Sequence, residues 1–253
     1  MLLNNRWTWG RQLYWGIILF LLFWWLNVFI YDASNTTKAI VNVVLALVAL
    51  LVAFRGLKSF KLINTKLLFT RNLGIWGILA VAIFIIIMSV ENVPLNIITV
   101  INSKNFLLDT MIALSAAIFE ESICRGLILS AFLGLFIYES SSYKFTKAAV
   151  WSAVLFGSMH LINLFGESPR ATLQQMLYAF ATGVFLAALR ITTNCLLWVI
   201  LLHFILDWGP LIAASNNSVG MSWSLLFVLF TPLLVTSLIY LIYVDRQLSL
   251  KET

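Results

Sequence analysis

An all-α fold, a polytopic transmembrane bundle of about eight spanning helices, is predicted for this chain on three observations: scarce charge, a series of solid apolar runs, and basic residues gathered on one side of those runs. Charged types make up 10% of the 253 residues and hydrophobic types 62%. A soluble domain carries about a quarter charged residues, so lipid rather than water is the natural solvent for most of this surface. The runs are unbroken instead of alternating, which favours helices over a barrel.

A spanning helix needs roughly 20 mostly apolar residues to cross about 30 Å of hydrocarbon. The first run, Leu13–Tyr31, follows Arg6 and Arg11 but is too long, and lacks a small-residue cleavage site, to be a signal peptide. It is expected to stay as a span. Ala39–Phe54 and Leu73–Val90 follow. Phe106–Tyr138 is too long for one simple span. Lys147–Phe165, Leu173–Leu189, Cys195–Ala214 and Ser222–Val244 complete the set.

The loop after the second run carries Arg55, Lys58, Lys61, Lys66 and Arg71 with no acid, and such loops face the cytoplasm. Counting outward, Arg6 and Arg11, Lys144 and Lys147, Arg190, and the tail with Arg246 and Lys251 fall on the same side. Only Lys38, Lys104 and Arg170 fall on the other. Eight spans with both termini cytoplasmic satisfy this asymmetry. It also accounts for the net charge of +6 without nucleic acid. The whole chain, residues 1–253, reads as one integral membrane domain with no internal repeat. The two cysteines, Cys124 and Cys195, are isolated in apolar context and are expected to be free thiols.

Ionisable residues inside spanning helices are costly and mark function by default. Here they cluster. The fourth run holds Glu120, Glu121 and Arg125, the fifth His160, the seventh His203 and Asp207; the two histidines are the only ones in the chain. Glu121 and Arg125, four apart on a helix, face each other. Glu120 is rotated by about 100° and is left without that cation. Phe156 and His160 share a face, with Asn163 close by, and His203 and Asp207 share another. Each pair alone has a bland explanation: a structural ion pair, an interhelical hydrogen bond, a packed His–Asp contact. Together they supply what amide hydrolysis needs, a base for water and donors for the oxyanion. Cys124, one turn after Glu120, offers a thiol nucleophile instead. Glu120, His160 and His203 offer a zinc site with an open position, although three separate helices would have to bring them together. No Gly-x-Ser-x-Gly or His-Glu-x-x-His is present.

Glu120-Glu121-x-x-x-Arg125, Phe156-x-x-x-His160 and His203-x-x-x-Asp207, in this order on three spans, resemble the CPBP family, which comprises type II CAAX prenyl proteases and bacteriocin-processing or immunity proteins. The resemblance covers roughly residues 106–210, the expected catalytic core, and eight spans match the family's architecture. It implies an intramembrane endopeptidase in the cell membrane whose site opens toward the cytoplasm. It further implies that Glu120 with His160 activates water, that His203 with Asp207 forms the oxyanion site, and that Glu121 and Arg125 support that geometry; the family was long labelled metalloprotease, and a glutamate-dependent mechanism with no cofactor is the reading preferred over zinc. Asparagine stands at the position of Asp207 in eukaryotic-type members, so Asp207 is expected either to donate a hydrogen bond while protonated or to orient and charge His203. The expected substrate is a membrane-associated or lipidated peptide or protein, in bacterial peptide processing or bacteriocin self-immunity. A non-catalytic adaptor that binds another membrane protein, and a proton-coupled carrier, are the competing readings. The lack of Gly/Pro-broken helices in paired halves counts against the carrier.

Overall fold

The computed structural model describes residues 6–211 and 221–249. Lys251 and residues 212–214 of the expected seventh run lie outside them. The regular elements among the described residues are helices: α1 Trp9–Phe29, α2 Asn35–Leu57, α3 Arg71–Val90, α4 Val93–Ile101, α5 Phe106–Glu121, α6 Leu129–Tyr138, α7 Lys144–Met159, α8 Pro169–Thr193, α9 Leu196–Asp207 and α10 Trp223–Ser249. A π-helical turn, Ser122–Ile128, joins α5 to α6 into one 33-residue rod, and a 3-10 turn, His160–Phe165, prolongs α7.

Helix starts are written locally. Thr8, Ser34, Thr70 and Ser168 each accept a hydrogen bond from the backbone N–H three residues on, and Pro169 follows Ser168 at the first helical position. Asn194, in the left-handed conformation at φ 53°, ends α8. The first turn of α7 has no local cap, and a distant residue supplies it: Asp245 of α10 accepts from Phe145 N at 2.9 Å, Thr146 N at 2.8 Å and Thr146 Oγ1 at 2.6 Å.

Seven helices are long and apolar enough to span a membrane among the described residues. The seventh expected span, Cys195–Ala214, is shorter than predicted. Its helix, α9, has 12 residues, about 18 Å of rise. The apolar run continues in sequence, but the helix stops at Asp207 before Gly209 and Pro210. The alternation of ends survives because α9 still carries the chain away from the end where α8 finishes. The nine-residue α4 was not foreseen; it turns Leu95, Ile98 and Ile101 outward on one face. Large apolar residues such as Ile78 and Val228, 71% and 69% exposed, cover the outer faces of α3 and α10, as lipid contact requires.

The bundle has two distinct ends. At one, Trp7 N donates to the Gly56 carbonyl, Gln247 Nε2 to the Leu68 carbonyl, and the Asn194 side chain bonds the backbone of Leu62 and Ile63. This end carries the basic loop. Arg190, expected in a loop there, is instead fully buried in the last turn of α8. At the other end Asn27 meets Asn42, Trp208 Nε1 donates to Thr110, and Gln174 Nε2 donates to the Met221 carbonyl.

Candidate active site

The rod α5–α6 widens where its ionisable residues stand. π-turns insert an extra residue into a helix and occur often at functional sites. All seven residues of this one are buried. Ser152 Oγ of α7 donates to the Cys124 carbonyl at 2.8 Å, satisfying a carbonyl inside the widened turn. A Cβ on Gly126 would lie 3.1 Å from that of Ala53, so glycine is what lets α2 pack so closely here.

Glu121 and Arg125 pair as expected: Arg125 Nη1 donates to Glu121 Oε1 at 2.7 Å, and both side chains are fully buried. The same oxygen accepts from His203 Nδ1, also at 2.7 Å. A carboxylate already paired with a guanidinium only accepts, so Nδ1 carries the proton and His203 is orientated by Glu121. Its Nε2 faces Asp207 Oδ2 at 3.2 Å and Glu120 Oε2 at 3.7 Å. At least one proton must therefore sit among Glu120, His203 and Asp207. Glu121 thus contacts one ring nitrogen of His203 and Asp207 the other.

His160 takes the first position after α7, and its Nδ1 lies 3.0 Å from the Phe156 carbonyl. A carbonyl cannot donate, so Nδ1–H donates and the Nε2 lone pair is left free in the neutral ring. The Phe156 ring joins the parts. It stands edge-on to His160 and to His203, and the Arg125 guanidinium lies over it with its central carbon 4.2 Å from the ring centroid. Space for that guanidinium comes from Gly183 of α8, whose Cβ would fall 3.1 Å from Arg125 Nη2. Asn163 Nδ2 donates to Gln175 Oε1 at 2.6 Å.

Glu120, His160, His203 and Asp207 line one cavity of about 470 Å³. The Glu120 side chain is 25% exposed and that of Asp207 41%, against none of Glu121, so the first two are accessible and the third is not. Glu91, Gln175 and Tyr178 also line the cavity and were not foreseen. Glu91 is legible only as a lone acid closing an apolar run. It is fixed at the corner between α3 and α4, and burial together with the charge of Asp207 raises its carboxyl pKa to about 7.

Cys124 is fully buried, its Sγ 3.6 Å from Met159 Sδ in the core, and it does not line the cavity. As for zinc, both nitrogens of His203 already face carboxylates, and no three His, Cys, Asp or Glu side chains converge as a metal-binding group among the described residues. Glu120, His160 and His203 share the cavity without forming a ligand set.

The turn before α9 packs against the loop after α2, where Asn194 bonds the backbone of buried Leu62 and Ile63. Glu120 stands midway along the 33-residue rod, and Asp207 at the end of α9 away from that loop.

A family model described as type II CAAX prenyl endopeptidase Rce1-like matches residues 76–209. No curated protein and no solved structure shows significant similarity to the chain.

Proposed function

The chain belongs to the Rce1-like family of type II CAAX prenyl endopeptidases, intramembrane peptide hydrolases, and from that premise we propose that it cleaves a membrane-associated or lipidated peptide by glutamate-activated water. The observation that carries the reading is the division of labour between adjacent acids. Glu121 is consumed by Arg125 and His203, while Glu120 faces the cavity with no guanidinium partner, 3.7 Å from His203 Nε2.

In the proposed reaction Glu120 takes a proton from water, with the free Nε2 of His160 helping to hold that water. The hydroxide oxygen bonds to the scissile carbonyl carbon and the π electrons move to oxygen. The Nε2–H of His203 donates to that oxyanion. Collapse of the intermediate breaks the C–N bond, and Glu120 returns its proton to the leaving amine. No step needs a metal, so a zinc chelator is expected to leave the rate unchanged. Bacterial peptide processing and bacteriocin self-immunity are the proposed settings.

The test compares membrane peptide profiles and phenotype of Glu120→Gln with wild type at matched expression. The expected outcome is an unprocessed peptide that accumulates only in the variant. A variant indistinguishable from wild type would reject catalysis at this site and favour an adaptor that works by binding.

A further inference from the structure

Two sequence-based expectations are incompatible once the fold is known. The charge pattern puts the loop after α2 in the cytoplasm. The family resemblance puts the mouth of the site there too. In the bundle, the cavity runs from the middle toward the end opposite that loop.

The cavity reaches the middle of the bundle at Phe119 and Glu120, midway along the α5–α6 rod, and at Thr182 and Leu186 of α8, and from there it runs toward one end. Glu91 follows the last residue of α3. His160 and Asn163 follow the last residue of α7, and Asp207 ends α9. Gln175 and Tyr178 come from the first half of α8, and Phe230 from the first third of α10. The basic loop joins the end of α2 to the start of α3, at the far end of the same helices. No residue between α2 and α3 lines the cavity. The hydrogen bonds from Trp7 to Gly56, from Asn194 to Leu62 and Ile63, and from Gln247 to Leu68 hold the basic segments together at that far end.

We propose that the catalytic cavity opens at the extracytoplasmic face, so that the cleaved segment belongs to an exported or outward-facing membrane peptide. The inference rests on reading this cavity as a peptidase site. Its warrant is the bias of Lys and Arg toward cytoplasmic loops, which sets the orientation of polytopic proteins. Arg55, Lys58, Lys61, Lys66 and Arg71 stand between two adjacent spans at one end, while Lys38, Lys104 and Arg170 are the only Lys or Arg residues at the other among the described residues.

The test reads orientation without turnover. Glu167 and Lys61 are exposed at opposite ends. Each is changed to Cys in the full chain carrying Cys124→Ala and Cys195→Ser, and bacterial cells are treated with a membrane-impermeant maleimide. Glu167→Cys is expected to react in intact cells and Lys61→Cys only after permeabilisation. The reverse order, or equal reaction of both in intact cells, overturns the proposal. A fluorescent protein that matures only in the cytoplasm, fused after Thr253 of the otherwise unaltered chain, is a second measurement independent of the cysteine variants. Fluorescence is expected, and a dark but full-length fusion overturns the proposal. Neither readout depends on peptide cleavage, so a failure of the peptidase reading shows separately, in the Glu120→Gln comparison.

Discussion

Glu121 Oε1 serves Arg125 and His203 at once, and this fixes what the other acids are free to do. With Nδ1 of His203 committed, Nε2 can donate only toward the cavity side, where Asp207 and Glu120 wait. Asparagine at position 207 would still place an oxygen near that nitrogen. Asp207→Asn is therefore expected to keep part of the activity, with a lower kcat in a peptide-hydrolysis assay. Complete loss in a folded variant would mean that the negative charge is essential for holding His203 protonated. Glu91 makes a different prediction. Its carboxyl group has no hydrogen-bond or ion-pair partner among the described residues, and its pKa rises from an ordinary 4.5 to about 7 through burial and the charge of Asp207. The unfolded chain then releases this proton near pH 4.5 and the folded chain near 7, so folding loses stability as pH rises between them. Glu91→Gln removes the penalty. Its melting temperature in detergent should exceed that of wild type above pH 7 and match it below about pH 4.5.

The elements show how much of the site could be read beforehand. Helical spacing placed Glu121 opposite Arg125 and Phe156 beneath His160, because i and i+4 share a face whatever surrounds them. The meeting of Glu121 with His203, 82 residues apart, is a tertiary fact that no local spacing encodes. The π-turn was visible only as a run too long for one span. The shortness of α9 was hidden because apolar residues run on past the point where the backbone stops being helical. Close contact between α7 and α8 also lay beyond the sequence, and it rests on Gly157, where a Cβ would sit 2.8 Å from the Met176 carbonyl oxygen. Backbone there cannot yield cheaply. Gly157→Ala should force the helices apart, cost about 1–3 kcal/mol of stability, and lower activity by displacing His160 three residues on. Thermal unfolding together with kcat would check it, and an unchanged pair of values would show that α8 moves freely.

At the scale of the whole molecule, the predicted all-α membrane bundle holds, with seven long apolar helices and the shorter α9 among the described residues. The family match extends from the first third of α3 past the end of α9, so it includes Glu91 as well as all three motifs. α1, α2 and α10 lie outside it. α1 still gives Phe20 and Phe23 to the cavity wall, and α10 gives Phe230.

The truncated α9 has a consequence for the lipid around it. A helix of about 18 Å cannot match a hydrocarbon layer of about 30 Å, and hydrophobic mismatch is relieved by thinning the bilayer or by letting headgroups and water sink in beside the shorter element. A bilayer that thins beside α9 would bring water closer to the cavity that His203 and Asp207 line. Acyl-chain length then becomes a rate variable. In vesicles made from a series of phosphatidylcholines, peptide hydrolysis should fall as the chains lengthen, because thicker bilayers resist the local dip. A rate indifferent to chain length would show that water reaches the cavity through the protein alone.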